Sequence, residues 1–461
     1  MSITRALAEW SARVEPLRRE PAVTLARNAV IDIVACMIAG GDDEAPRRAF
    51  DAVADLGEGP ATVVGQRAML PAPFAALVNG TAAHALDFDD NYHPLAGHAT
   101  AVLAPALLAL AEERDAGGAA MLDAYIVGLE VLGFIGNGVN LVHYERGWHS
   151  TSTVGAMGAA AACARLMGVD ADGMQRAISL GFSLAGGSKL QFGAMAKPVH
   201  AGIAAQHGLL AARLAAAGVT ATPEPLDAPW GFRDLFGGSE SSGFEDGGGN
   251  IGRPLAIERY GLKVKIYPCC ASAHCAVDGV LEIMRAHDLR AGDVDRVETV
   301  VNRVSYDNLM YPEPRTELEA RFSMQYCVAL AVLRGGLRLD DFRPEAVADR
   351  AVRAWLPRVT MRLPEPGSEL CRGDNGREPA EVHLHLKDGR VLSRFVQFAK
   401  GVLQAPLSEG ELWSKFDDCT ASALAPDRAA AIRERLEGLE ILPRVAELMR
   451  LLRAGPCGSA S

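Results

Sequence analysis

Positive charge is scarce in this chain: 46 Lys and Arg against 57 Asp and Glu leave its 461 residues at −11. A field of that sign repels nucleic acid and anionic membrane, so an anionic ligand has to be held by local cations. Nucleotide fingerprints are missing as well, with neither G-x-G-x-x-G between a strand and a helix nor G-x-x-x-x-G-K-S/T. There is no H-E-x-x-H and no pair of C-x-x-C motifs, the patterns common to zinc hydrolases and structural zinc sites. The longest apolar stretches, such as Ala101 to Ala111, fall well short of the roughly 20 residues that cross a bilayer, so no membrane-spanning segment is expected. The nine cysteines are odd in number, irregularly spaced and not preceded by a secretory signal, which predicts reduced thiols and a cytoplasmic setting.

What is present is the composition of a folded globular protein, 49% hydrophobic and 22% charged, long enough for two domains. The opening MSITRALAEWSARVEP reads as an amphipathic helix of mature protein. Up to about residue 235 the chain is rich in Ala and Leu, with helical spacing over Ala26 to Ala39, Thr100 to Glu113, Met121 to Gly136, Thr153 to Met167 and Val199 to Ala217. Gly168 and Gly218 stand where helix stops are expected. Residues 237–250, rich in Gly, Ser and acid, read as a surface loop. Beyond it the period changes. Leu262 to Ile266 alternates strictly, Val297 to Val304 is β-branched, and Glu381 to Lys387, Asp388-Gly389 and Arg390 to Gln397 spell a hairpin. Helices are predicted over Ala271 to His287 and Glu317 to Leu333, the second opened by a Thr316/Glu319 capping box, and Glu409 to Arg453 returns to helical spacing. The predicted fold class is mainly α with an α+β part: a large helical bundle, 1–261 with 401–461, and a smaller inserted α+β domain, 262–400.

Three cationic or titratable residues precede predicted helix N-termini, where free N–H groups and the helix dipole favour anions. His149 stands before a helix predicted to start about Ser152, Lys197 before Pro198 as first helical residue, and Lys265 where a strand gives way to the helix carrying His274. A fourth cluster, His84 to His98, packs Asp87, Asp89, Asp90, His84, His93 and His98 between two apolar segments, a density that is costly to bury unless the groups pair. Metal binding is the rival reading of that cluster, but no H-x-x-E or H-x-x-x-H spacing supports it, and no metal is expected. Adjacent Cys269 and Cys270, with His274 and Cys275, do not make a four-ligand zinc site. His383 and His385 fall on the polar face of their strand, and His207 is read as packing.

Taken together these residues resemble the MmgE/PrpD family, which includes 2-methylcitrate dehydratase, cis-aconitate decarboxylase and iminodisuccinate epimerase. The likeness rests on Asn79-Gly80 through His84-Ala85-Leu86-Asp87-Phe88-Asp89-Asp90, Gly147-Trp148-His149-Ser150-Thr151, Lys197-Pro198-Val199-His200-Ala201-Gly202, Lys265 to Cys270 with His274, Ala320 to Tyr326, and Lys400-Gly401 with Pro406-Leu407-Ser408. The resemblance implies a helical domain with an α+β lid, a homodimer, an active site between the domains, and small di- or tricarboxylate substrates. Its site positions map onto Asp87, Asn91, His98, His149, Lys197, Lys265, Cys270, His274 and Tyr326. Two departures stand out. Cys270 occupies a position where the animal decarboxylase has histidine, and the stretch from Asp87 to His98 is one residue longer. On this reading Lys197 and Lys265 hold substrate carboxylates, His149 or His98 moves the proton, Asp87 orients a histidine and holds it positive, Tyr326 donates to a leaving hydroxyl or a substrate carboxylate, and Asn91, His200, Cys270 and His274 contact substrate. The expected activity is a cofactor-independent hydro-lyase of the 2-methylcitrate type. The alternatives are an epimerase, a decarboxylase of a related acid, or a non-catalytic metabolite-binding relative.

Overall fold

In the computed structural model, residues 2–244, 249–368, 370 and 378–454 are described. The chain folds as two units, Met1–Leu262 with Gly410–Ser461, and Lys263–Glu409. Fold class is mainly α with a small mixed sheet, as the periodicity predicts.

The first unit is built from helices, of which Ala72–Ala85, Ser150–Met167 and Ala196–Ala216 bury apolar faces made mostly of alanine. Thr100–Glu113 matches the sequence reading, and every residue from Thr100 to Ala111 is buried. Small residues let these helices approach until backbones touch. A Cβ on Gly80 would lie 2.8 Å from the Gly202 Cα, and one on Gly202 would lie 2.1 Å from the Leu77 carbonyl oxygen. Helix Ala72–Ala85 therefore crosses helix Ala196–Ala216 at a contact that admits only glycine. Four residues beyond Gly80 stands His84, and five before Gly202 stands Lys197. The crossing sets these two side chains against each other.

The apolar runs need a correction. Ala22–Gly40 and Gly118–Val139 are long and apolar enough to span a membrane, with 67% and 83% of their apolar windows buried inside the protein. Both are longer than the stretch from Ala101 to Ala111, and Arg27 and Asp32 interrupt the first of them. Burial in the bundle accounts for the apolarity of both helices. After residue 409, helices Glu409–Thr420, Pro426–Glu437 and Ala446–Leu452 complete the unit. The predicted surface loop is described only in part, since residues 245–248 lie outside the described residues.

The second unit holds a four-stranded sheet in the order Val359–Arg362, Val294–Val301, Ala380–Leu386, Val391–Val396. The first pair is parallel and the others antiparallel, and the last two strands form the predicted hairpin. Ala380, Val382 and Leu384 are buried on one face while His383 and His385 take the other. Two predicted elements differ. Leu262 to Ile266 is no strand; it runs as coil with the Val264 N–H donating to the Gly401 carbonyl at 2.9 Å. The predicted helix from Glu317 is two helices, Glu317–Ala320 and Met324–Arg334, because Ser323 recaps the chain by accepting from the Tyr326 N–H at 3.1 Å.

Candidate active site

The cluster between Ala85 and Thr100 begins with a turn that ordinary residues resist. Asp87 has φ 51°, in the left-handed region that Asp tolerates better than most side chains. The turn reverses the chain just past the helix and brings Asp87 and Asp89 inward, both buried. Farther along, the His98 N–H donates to Thr151 Oγ1 at 3.1 Å, tying this segment to the helix Ser150–Met167.

Asp89 lies at the centre. One of its oxygens is 2.9 Å from His84 Nδ1 and the other 2.9 Å from His98 Nδ1. On the far side of His84, Nε2 lies 2.9 Å from Lys197 Nζ, and Lys197 also pairs with Asp87. An ammonium has only donors, so His84 Nε2 accepts and Nδ1 carries the proton toward Asp89. His84 is thereby fixed as a neutral imidazole. Burial, with Lys197 and His98 nearby, drives its pKa to about 3 against the pull of Asp89. Burial works to raise the Asp89 carboxyl, yet the two imidazoles hold it well below the ordinary range. His98 Nε2 lies 3.9 Å from Asp87.

His149 caps the N-terminal end of helix Ser150–Met167 without a side-chain cap bond, two residues earlier than predicted. Its N–H donates to the Gly187 carbonyl at 3.1 Å, and its Nδ1 lies 3.0 Å from His200 Nδ1. Burial, then the charge of Lys197, holds the ring well below its usual pKa. His149 is therefore a buried neutral base at physiological pH. Phe192, absent from the sequence reading, sets its ring edge-on to His149 at 5.1 Å and stands 5.3 Å from Lys197 Nζ. Helix Ala196–Ala216 starts one residue ahead of Lys197, so Lys197 and Pro198 both sit in its first turn, where the missing proline N–H costs nothing.

The structure thus gathers Asp87, His98, His149, Lys197 and His200 in the first unit, together with His84 and Asp89, whose part in the network the sequence reading did not assign. The only signal for that pair was density: a histidine in the last turn of a helix and a carboxylate five residues on. Asn91 Oδ1 is buried with no hydrogen-bond partner among the described residues.

Lys265, Cys270, His274 and Tyr326 belong to the second unit and are all buried there. His274 Nε2 lies 3.4 Å from the Cys269 carbonyl, and its ring meets Tyr267 edge-on. Cys270 donates its N–H to the Arg321 carbonyl at 2.9 Å. Lys265 lies six residues ahead of the turn Ala271–Ala273 that precedes helix His274–Ala286, so it does not adjoin a helix N-terminus as predicted. Tyr326 needs the clearest correction: its hydroxyl donates to the Asp341 carbonyl at 2.5 Å, so the donor role expected of it is already spent. Cys269, Cys270 and Cys275 form no disulfide among the described residues. His207 packs as expected, with Nδ1 2.9 Å from the Leu184 carbonyl.

One donor from each of His84, Asp89 and His98 lies within 4.8 Å of the others, close enough for a metal ion. The electrostatics oppose it. The His84 Nδ1 already donates to Asp89, the His98 Nδ1 lies 2.9 Å from the other carboxylate oxygen, and the Lys197 ammonium touches the far nitrogen of His84. The triad is better described as a hydrogen-bonded carboxylate between two imidazoles.

Comparison with known proteins covers most of the chain. The MmgE/PrpD N-terminal domain matches residues 5–245 and the MmgE/PrpD C-terminal domain matches residues 267–441. Cis-aconitate decarboxylase of Mus musculus is 29% identical over 408 residues, 84% of this chain and 79% of that protein. The Homo sapiens enzyme of the same name is 29% identical over 407 residues, 84% and 80% of the two chains. The cis-aconitate decarboxylase-like protein oryM of Aspergillus oryzae is 26% identical over 483 residues, 98% and 97%.

Proposed function

The chain belongs to the MmgE/PrpD family, and from that premise we propose that it is a cofactor-independent lyase acting on a small di- or tricarboxylate by proton transfer at a carbon next to a carboxylate. The observation that carries this reading is the buried neutral imidazole of His149, which feels the Lys197 charge and shares the Phe192 ring with it. A neutral imidazole takes up a carbon-bound proton near pH 7 and, once protonated, returns one. The ammonium, already inside the protein, stabilises the enediolate charge that develops as the proton leaves. Asp87 keeps Lys197 aimed, and Asp89 fixes the tautomer of His84 and holds His98 by Nδ1.

Two outcomes follow from one machinery. The names of the similar proteins favour decarboxylation of an acid of the cis-aconitate class, in which CO₂ leaves and one proton is added to carbon. Dehydration of a 2-methylcitrate-like acid is the second reading, favoured by Cys270 and by the extra residue between Asp87 and His98. Proton NMR in D₂O over cis-aconitate, 2-methylcitrate and related acids separates them. Deuterium in a product that has lost CO₂ supports the first, and loss of water with an exchanged α-proton supports the second. No exchange and no conversion across the panel would leave only a metabolite-binding role.

A further inference from the structure

His149 is 1% exposed, so a proton that it takes or gives needs a path to solvent. Its possible partners narrow quickly. His84 cannot pass a proton on, because Nδ1 donates to Asp89 and Nε2 accepts from Lys197. Phe192 offers only the edge of an apolar ring. His200, one turn beyond Lys197 on the same helix, remains: its Nδ1 is 3.0 Å from His149 Nδ1, and unlike His149 it is only partly buried. Two Nδ1 atoms at that distance share a single proton, one donating and one accepting.

We propose that His200 is the proton relay between the buried His149 and solvent, and not the substrate contact that the sequence suggested. The proposal rests on His149 being the group that exchanges a proton with substrate carbon. With His149 protonated at Nδ1, its Nε2 holds the lone pair that takes the proton from carbon, leaving the C–H electron pair on the substrate as the enediolate. The Nδ1 proton of His149 then passes to His200 Nδ1, and His200 gives its Nε2 proton to water. Decarboxylation runs the relay the other way: water protonates His200, His200 protonates His149, and His149 delivers the proton to the carbon from which CO₂ has left.

Two measurements test this. In protein carrying ¹⁵N-histidine and no substrate, NMR reads the exchange of the shared Nδ1 proton with water. The relay predicts that His200→Phe slows this exchange at least tenfold. His200→Gln, which keeps a hydrogen-bonding partner for Nδ1 and serves as the folding control, should slow it equally. Unchanged exchange in the folded variants overturns the proposal whether or not the enzyme's substrate is known. The second measurement is turnover of whichever acid the wild-type protein converts. His200→Ala should lose roughly 10- to 100-fold in kcat with KM nearly constant, and added imidazole should restore the rate in proportion to its concentration. A raised KM at unchanged kcat would instead make His200 a substrate contact and refute the relay. Slowed proton exchange in the His200 variants, when the wild-type protein converts no carboxylate, would uphold the relay while refuting the lyase reading on which its use depends.

Discussion

Two buried lysine–aspartate pairs sit in the helical unit, joined by the same four residues of chain. Lys197 pairs with Asp87, and Lys415 pairs with Asp32 at 2.6 Å while donating to the Phe88 carbonyl at 2.7 Å. Asp87 and Asp89 face the first pair, whereas Phe88 and Asp90 face the second. Both lysines are buried. Burial pushes the Lys415 ammonium down, but Asp32, Cys36 and Cys419 together outweigh it and hold the group above its ordinary value. Surroundings distinguish the pairs. Lys415 is closed in by the Phe88 ring at 4.0 Å and the thiols of Cys36 and Cys419, whereas Lys197 contacts the His84 imidazole and acts electrostatically on His149. A buried ion pair is therefore no mark of a site in itself; the mark is titratable company held in a fixed tautomer.

The sharpest way to test that contrast is to delete each charge. Lys415→Met strands Asp32 and should cost about 3–5 kcal/mol of stability, read from chemical denaturation, while the folded fraction keeps most of its turnover. Lys197→Met should lower turnover by roughly 10²- to 10³-fold, the usual loss when a preorganised charge stabiliser is removed. Its stability loss should be the smaller of the two, since His98 Nε2, 3.9 Å from Asp87, can take a proton and neutralise the stranded carboxylate. Equal losses of stability with activity spared in both variants would make the two pairs equivalent. Next in size is His149→Gln, expected to cut turnover about 10²-fold with little change in melting temperature; a near-normal rate removes His149 from the chemistry.

Much of this arrangement was legible from residue types. Alanine and leucine at helical spacing located the bundle, and motif residues located His149 and Lys197. The close crossing at Gly80 and Gly202 was not legible, because small residues announce tight packing without naming the partner. Asp89 escaped assignment because its link to His84 runs five residues, past a helix end and through the left-handed Asp87, where no periodic rule applies. Leu262 to Ile266 alternates like a strand, but alternation reports two faces and not a neighbour to pair with.

Asp90 sharpens the comparison through pH. Burial raises its carboxyl to about 8, with Asp32 and Asp89 adding to the effect and hydrogen bonds from Thr100 opposing it. Because the folded value lies above the unfolded one near 3.8, the native state holds a proton that the unfolded chain has lost between about pH 4 and 8. Stability from this group is therefore present at low pH and lost as pH rises, at up to about 1.4 kcal/mol per unit. The neutral histidines have the opposite sign, His84 gaining stability from about pH 3 to 6.5, so the difference between wild type and variant is the useful quantity. Asp90→Asn keeps the uncharged shape, and its melting temperature relative to wild type should climb from pH 5 to pH 8. A constant difference would mean that Asp90 is ionised in the fold. A smaller effect is expected of Tyr326→Phe, which loses the bond to the Asp341 carbonyl: about 1 kcal/mol of stability, with turnover within twofold.

The smallest expected effect belongs to metal removal. His84, Asp89 and His98 satisfy the distance criterion for a metal ion, and divalent ions commonly take such a set. Binding here would displace the Nδ1 proton of His84 and set a dication one imidazole away from the Lys197 ammonium, whose contact with His84 Nε2 is 2.9 Å. Carboxylates usually sit on the far side of a ligating histidine, where they raise its basicity; an ammonium there lowers it. Exhaustive EDTA treatment should leave turnover unchanged, and metal analysis of the purified protein should find well below one equivalent per chain. Activity lost to EDTA and restored by one specific divalent ion would transfer Asp89 from orienting histidines to binding metal, and the contrast between the two buried lysines would then rest on an ion instead of on protons.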